Sequence, residues 1–492
     1  MKRILTYSYI LIFFSMIGCG ESTSGEVVNA NAPLFTEIPP NFNTQGVTIP
    51  KGFSLDILFQ ERTDSVITKS GIKYPAKGNQ DYVTYLPING SSEHGYVYVS
   101  HEVDRIANTA LGDGGGGSFF EVIRKEGRWE VKGNFKHIDF STVGGTLRNC
   151  GGTQTTHNTL LSAEETEPKS NASIYRDGDG IQDTSDINGL KRYQNYGWMV
   201  EVDPFSGKAL RKLYQMGRFE HEDAHCMDDG KTVYLTDDHN PAVFFKFVAT
   251  KAKDYTKGQL YAFKQSKDGE SGEWISLPME MDSLIHARDM AMKRGASLFM
   301  RHEWIDIANG KLYITETGRD KFDWEPYITM GASPAKHFGP LHQGNNQYKD
   351  VYGRILEFDP KTNKMRVYLE GGTASSDPNK NMSGPDGLAT AEINGKPYLI
   401  INEDIIGLSD NRVSTMAFER KEVYNEVYFL DLSIENPTVD DLQRFLAAPR
   451  NAETTGSYFT PDGKTYFLSI QHPSPQNTEP FNRSTVIAIT GF

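Results

Sequence analysis

One short pattern recurs along this chain: a Gly turn, a hydrophobic strand carrying an aromatic residue, then an acidic or polar end. It occupies residues 94–102, 229–238, 309–316, 394–404 and 462–472, as in Asn309-Gly-Lys-Leu-Tyr-Ile-Thr-Glu316. A sixth stretch, Asn158-Thr-Leu-Leu-Ser-Ala-Glu-Glu165, keeps the strand and the acids but lacks the Gly turn. The ends fall at Glu102, Glu164, Asp237, Glu316, Glu403 and Gln471. Six such units predict an all-β chain, a six-bladed β-propeller with long inserted loops over one face. Equivalent strand ends then face one axis. Like charges held together are unfavourable without cations, so the pattern also points to a metal site. The alternative is that each acid only solvates a strand-to-loop corner.

Other strand-like runs bounded by Gly, Pro, Asn and Asp support the same class, and long amphipathic helical patterns are scarce. The net charge of −13 argues against nucleic acid as a partner. Lys2 and Arg3 precede an apolar run from Ile4 to Ile17 and then Cys19. This predicts a lipoprotein signal over residues 1–18, a lipidated Cys19 and tether over 19–32, and one propeller domain over 33–492. Attachment to a membrane through Cys19, outside the cytoplasm, follows from that expectation; an ordinary cleaved signal is the alternative. The other two cysteines, Cys150 and Cys226, are open to two readings. They form one disulfide, or Cys150 is a metal ligand and Cys226 a buried thiol. Two inserted stretches stand out. Asp177, Asp179, Asp183 and Asp186 loosely match calcium-loop spacing, with a solvated loop as the alternative. Residues 321–350 read as a long loop able to cap the channel.

Five segments carry the chemistry. Gly144 to Glu165 sets a loop thiol, Cys150, before the adjacent carboxylates Glu164 and Glu165, a donor mixture that suits iron. Met216 to Cys226 contains His221, Glu222 and His225 and leads to Asp237-Asp238. Strand alternation sends His221 and Glu222 to opposite faces, so only one points at a shared ion. Arg301-His-Glu303-Trp304 pairs an Arg with a carboxylate two residues on, and Arg forks onto phosphate or carboxylate oxygens. Gly384-Pro-Asp386-Gly-Leu388 and Phe459-Thr-Pro-Asp-Gly463 with Gln471-His-Pro473 are turn-like and weaker.

The ordered set resembles the PhoX-type alkaline phosphatases from about residue 80 to the C-terminus. The motifs are Leu-Arg-Asn-Cys150 with Glu164-Glu165, Gly217-Arg-Phe-x-His-Glu222, Asp237-Asp238, Arg301-x-Glu303-Trp304, Pro385-Asp-Gly387 and Phe459-Thr-Pro-Asp-Gly with Ile470-Gln-His-Pro473. The resemblance implies an exported propeller that hydrolyses phosphate monoesters with ferric iron (Fe3+) and calcium bridged by an oxo group. Attack by a metal-bound oxo or hydroxide is the implied chemistry. Carried over by motif, Cys150, Glu222 and Glu303 are expected as iron or bridging ligands. Glu164, Glu165, Asp238 and Asp386 are expected on iron or calcium, and Arg301 is expected as the phosphate clamp. Glu102, Glu316 and Glu403 are left as corner or supporting residues. Small phosphorylated substrates and a monomer are expected.

The chain departs from the family in places. It has Thr155-Thr-His-Asn-Thr-Leu160 before the two acids, where the family commonly has a Trp-containing Thr-Pro stretch. It also lacks a twin-arginine export motif. Two other functions fit the repeat: a non-catalytic, calcium-stabilised binding scaffold, and a calcium-dependent lactonase- or phytase-like hydrolase. The hydrolase of that kind relies on calcium and carboxylates and has no use for Cys150.

Overall fold

The recurring pattern forms the second strand of each blade, and its turn residues supply the hairpins. Asn309–Gly310 and Asn394–Gly395 both have positive φ at each residue. That is the type I′ geometry for which Asn-Gly is the preferred pair. The computed structural model describes residues 33–39, 45–106, 111–112, 114–176, 183–267, 269–323, 325–332, 347–350, 352–373, 375–376, 380–405 and 424–492. The expected signal and tether, Asp177 and Asp179, and residues 333–346 lie outside the described residues. Among those described, Asp183 accepts from the Ser185 backbone at 2.9 Å and pairs with Arg192 at 3.1 Å, while Asp186 pairs with Lys191 at 3.3 Å.

Six sheets of four or more strands follow one another, each antiparallel in its four core strands. Their innermost strands are Gln80–Pro87, Asn149–Gln154, His221–Cys226, His302–Ala308, Pro385–Ile393 and Glu453–Phe459. Each packs against the innermost strand of the blade on either side, and the sixth meets the first. The ring closes through the chain ends: Ser54–Gln60 pairs antiparallel with Thr485–Thr490 and completes the sixth blade. The chain is thus a six-bladed β-propeller, as the six repeats predict.

Apolar side chains fill the spaces between blades. Between the third and fourth, Phe244, Phe263 and Trp274 surround Phe358, with Phe244 and Phe358 edge-on at 5.4 Å. Aromatic rings of this kind bury large area in favoured edge-to-face geometry.

The last residue of the second strand is buried in all six blades: His101, Glu164, Asp237, Glu316, Glu403 and Gln471. A buried carboxylate needs partners, and several have a cation. Lys212 Nζ donates to both oxygens of Glu164 at 2.8 Å, Arg288 forks onto Asp237, and Arg354 reaches Glu316 at 3.1 Å. Removing one partner strands the other as an unpaired buried charge. Lys212→Ala is therefore expected to lower the stability of the propeller by about 3–5 kcal/mol, read as a reduced denaturation midpoint in urea.

Candidate metal centre

The site grows out of an irregularity repeated in five of the six blades. The first residue of each innermost strand pairs with the last residue of the second strand: Gln80 with His101, Asn149 with Glu164, His221 with Asp237, His302 with Glu316, Pro385 with Glu403, and Glu453 with Gln471. In the first five blades the register then shifts at once, so that two residues of the inner strand oppose one of its partner. Such a bulge re-aims side chains and leaves a backbone N–H without a ladder partner. A hydroxyl opposite takes that proton in three blades. Tyr82 N–H donates to Ser100 Oγ, Asp223 N–H to Thr236 Oγ1, and Trp304 N–H to Thr315 Oγ1, each at 2.9 Å. Ser100 and Thr315 then donate onward to the carbonyls of Cys150 and Asp386 in the neighbouring blades.

In most blades the residue just past the paired position belongs to one of two converging sets. On the inner strands these are Asp81, Cys150, Glu222, Glu303 and Asp386, joined by Glu453 from the head of the sixth. Past the second strands they are Glu102, Glu165, Asp238, Asp404 and His472. Four triads interlock: Asp81–Cys150–Glu222, Glu102–Cys150–Glu165, Glu165–Glu222–Asp238 and Glu222–Glu303–Asp386. Within each, ligand atoms lie within 4.8 Å of one another. Glu222 belongs to three of them and so sits where a bridging carboxylate would. A fifth triad, Asp404–Glu453–His472, stands beside them. Cys150 Sγ lies 3.0 Å from Glu165 Oε2.

Among the described residues, two guanidinium groups enter this cluster. Arg301 forks onto Asp238 with Nε and Nη2 at 2.7 and 3.0 Å, and Nη2 is also 2.7 Å from Glu303. Arg148 lies between Glu102 and Glu165, 2.7 Å from the latter. Burial opposes the charge on both, but the carboxylates beside them hold it in place. Burial likewise opposes ionisation of Asp238, and Arg301 overrides it, keeping that carboxyl well below its usual range. Arg148 likewise overrides burial at Glu102 and keeps that carboxyl below its usual value. Asp81, Glu222, Asp386 and Glu453 lack such compensation. Burial and then Glu102 push Asp81 up to about 7. Burial, then Glu303 and Glu165, lift Glu222 well above the ordinary value, and burial with its acidic neighbours lifts Asp386 and Glu453. The Cys150 thiol is pushed up by burial and by Glu102. Among the described residues, nine carboxyl groups and a thiol thus share two guanidinium groups. The donor set fits polyvalent cations, which would supply the missing positive charge.

Six of the seven expected ligands meet here: Cys150, Glu165, Glu222, Asp238, Glu303 and Asp386. Glu164 does not. Its oxygens accept from Thr146, from the backbone amides of Leu147, Gly197 and Trp198, and from Lys212. Alternation points it away from Glu165, and its acceptor capacity is used by the fold. His221 also faces away, stacked on Phe219 and bonded to the Gly217 carbonyl, while Glu222 faces the cluster. Cys150 and Cys226 are both free and buried, so the disulfide alternative is overturned. Glu316 and Glu403 are supporting residues, held by Met300 and Arg354 and by Ser383 and Glu426. Glu102, expected with them, lies instead in the cluster. Asp81, Asp404, Glu453, His472 and Arg148 were not anticipated as members.

Among curated proteins none matches this chain. The solved structure of Pseudomonas fluorescens PhoX in complex with vanadate, a transition state analogue, matches with a TM-score of 0.69 at 23% identity, covering 93% of this chain and 98% of that one. Trypanosoma rangeli sialidase matches with a TM-score of 0.40 at 12% identity, covering 90% of this chain and 60% of that one, too distant to speak to chemistry. A family model described as alkaline phosphatase PhoX matches residues 126–474. That span is most of the propeller and holds most of the converging carboxylates, and the chain belongs to the PhoX alkaline phosphatase family.

Proposed function

We propose that this chain hydrolyses phosphate monoesters at the axial cluster, with iron and calcium as its metals. Family membership carries the reaction, and the position of Cys150 carries the choice of metal. A thiol among carboxylates serves a transition metal such as iron, whereas calcium takes oxygen ligands alone. Cys150, Glu222 and Glu303 would hold or bridge iron, and Glu165, Asp238 and Asp386 would complete iron or calcium coordination. Glu102 and Asp81 border Cys150 and extend the same set. When bound, such ions polarise a phosphoryl group and lower the pKa of water.

The chain's own residues would do the rest. Arg301, only 12% exposed at its side chain, is fixed by Asp238 and Glu303. A guanidinium held this way presents a preorganised donor to phosphoryl oxygens as charge builds on them. Arg148 fixes Glu102 and Glu165 in the same manner from the second blade. Bulge and hydroxyl hold the Cys150 and Asp386 backbones in place, so the donor atoms stay close. Vanadate occupies the P. fluorescens relative as a transition-state analogue, which supports an in-line phosphoryl reaction for this chain too. Export as a lipoprotein through Cys19 rests on the sequence motif alone.

Elemental analysis of the purified protein is expected to find both iron and calcium. Cys150→Ser is expected to lose iron and p-nitrophenyl phosphate hydrolysis together. A wild-type protein with neither metal and no turnover would sink the assignment. Two neighbouring amides separate ligand from scaffold: Glu165→Gln should lower bound metal, whereas Glu164→Gln should lower the melting temperature and leave the metal content of the folded fraction unchanged. Arg301→Ala should reduce kcat by about 10²–10³ while retaining metal, as loss of one preorganised donor does. Steady-state kinetics with parallel metal analysis checks this.

A further inference from the structure

In each bulged blade two residues of the inner strand oppose one of its partner, and the first of the two enters the metal cluster. The second is, in blade order, Tyr82, Gly151, Asp223, Trp304 and Gly387. Tyr82 and Trp304 meet ring to ring at 5.9 Å, and the two glycines carry no side chain. Asp223 is the charged residue of the five, and it is only 3% exposed. A carboxyl group buried so deeply needs polar partners.

Asp223 reaches into the blades on both sides. Its Oδ2 accepts the Ile305 N–H at 3.1 Å, two residues past Glu303 in the fourth blade. On the other side it presses on the second blade at Gly151. A Cβ at Gly151 would stand 2.8 Å from Asp223 Oδ1 and 2.6 Å from the Glu222 carbonyl oxygen. Contacts that short do not form, so this close approach requires the glycine that follows Cys150. The hydroxyl opposite each bulge explains why a carboxyl group is placed here. In the first and fourth blades that hydroxyl links onward, Ser100 to the Cys150 carbonyl and Thr315 to the Asp386 carbonyl. Thr236 turns back instead and donates to the Asp223 carbonyl at 3.2 Å, within the third blade. The Asp223 side chain supplies the onward link that Thr236 does not. Its two contacts bracket Glu222, the residue common to three triads. One fixes the separation from Cys150 and the other the separation from Glu303.

We propose that Asp223 is a positioning residue of the metal cluster, whose carboxyl group locks the third blade to the second and fourth so that Cys150, Glu222 and Glu303 keep the spacing of an iron site. It acts through those three side chains and not on the substrate. The proposal rests on the reading of the cluster as an iron site and adds to it the residue that sets its geometry. Groups standing behind metal ligands commonly change metal affinity by about 10–100-fold when they are removed.

The test measures iron affinity by chelator competition, and the thiolate-to-iron absorption band, on folded wild type, Asp223→Ala and Asp223→Asn. Asp223→Ala is expected to bind iron about 10–100-fold more weakly, with the band shifted or weakened per iron bound. Asp223→Asn keeps an acceptor for the Ile305 N–H and is expected to restore both. A purely structural role would lower the melting temperature and leave the band and the affinity of the folded protein alone. Wild-type affinity with an unchanged band in Asp223→Ala therefore overturns the proposal, as does an Asn variant as weak as the Ala one. Should Asp223→Ala not fold, Asp223→Glu is read in its place, since it keeps the charge and lengthens the reach. Weaker iron binding then supports positioning, and unchanged binding overturns it. Iron bound without hydrolysis of p-nitrophenyl phosphate fails the phosphatase reading and leaves this comparison standing. A wild type that binds calcium but no iron fails the iron reading, and calcium affinity of the same variants then decides: weakened binding in Asp223→Ala supports the role and unchanged binding overturns it. A wild type that binds neither overturns it together with the metal reading.

Discussion

The bulge at the head of five of the six innermost strands is the constraint from which the site follows. A regular ladder would continue the pairing of Gln80 with His101 or His221 with Asp237 and alternate side chains between the blade's two faces. The inserted residue breaks that alternation at one level of the barrel axis. Five breaks at one level bring Asp81, Cys150, Glu222, Glu303 and Asp386 together from strands that are far apart in sequence, and Glu453 joins them from the head of the sixth. The arrangement costs a backbone donor in each bulged blade, and in three of them the hydroxyls of Ser100, Thr236 and Thr315 recover it. Because two of those hydroxyls also bond the next blade, the bulges of the first and second blades are coupled, as are those of the fourth and fifth. Fold and site share these hydrogen bonds.

Neighbouring acids meet opposite fates on either side of this break. Glu164, Asp237 and Glu316 are saturated by Lys212, Arg288 and Arg354 and serve the blade. One residue further on, Glu165 and Asp238 face the axis, where carboxyl groups outnumber guanidinium groups. Saturated carboxylates stabilise a fold; crowded ones raise its energy until a cation arrives. Metal binding to the crowded set should therefore stabilise the whole propeller, since the bound form gains what the crowding withholds.

That one-residue step also decides what could be read in the sequence. The six repeats and the six-bladed fold were legible, because the Gly turns and hydrophobic strands alternate regularly. Cys150, Glu222, Glu303 and Asp386 were legible through their motifs. The strand ends were not. Aligned by acidity, Glu102 seems equivalent to Glu164; aligned by pairing, it is His101 that matches Glu164, and Glu102 that matches Glu165. A slip of one residue exchanges the two faces of a strand. Asp81 and Glu453 open strands with no Gly motif beside them, and Asp404 and His472 lie just past their repeats' strand ends. A usable signal does exist: a hydroxyl residue, then a pairing residue, then a ligand, as in Ser100-His-Glu102 and Thr236-Asp-Asp238.

The corner residue before each bulge shows where the chain accepts strain for chemistry. In four blades this residue has positive φ: Asn79, Arg148, Arg301 and Gly384. Gly and Asn adopt the left-handed region readily, whereas an ordinary side chain there costs roughly 1–2 kcal/mol. Arg is thus a poor choice for the turn and needs another reason to be there. Both arginines bridge two carboxylates of the cluster, Arg148 joining Glu102 to Glu165 and Arg301 joining Asp238 to Glu303. Strained conformation, buried charge and convergent donors therefore coincide at two blades separated by a third, and that third blade supplies Glu222 between them.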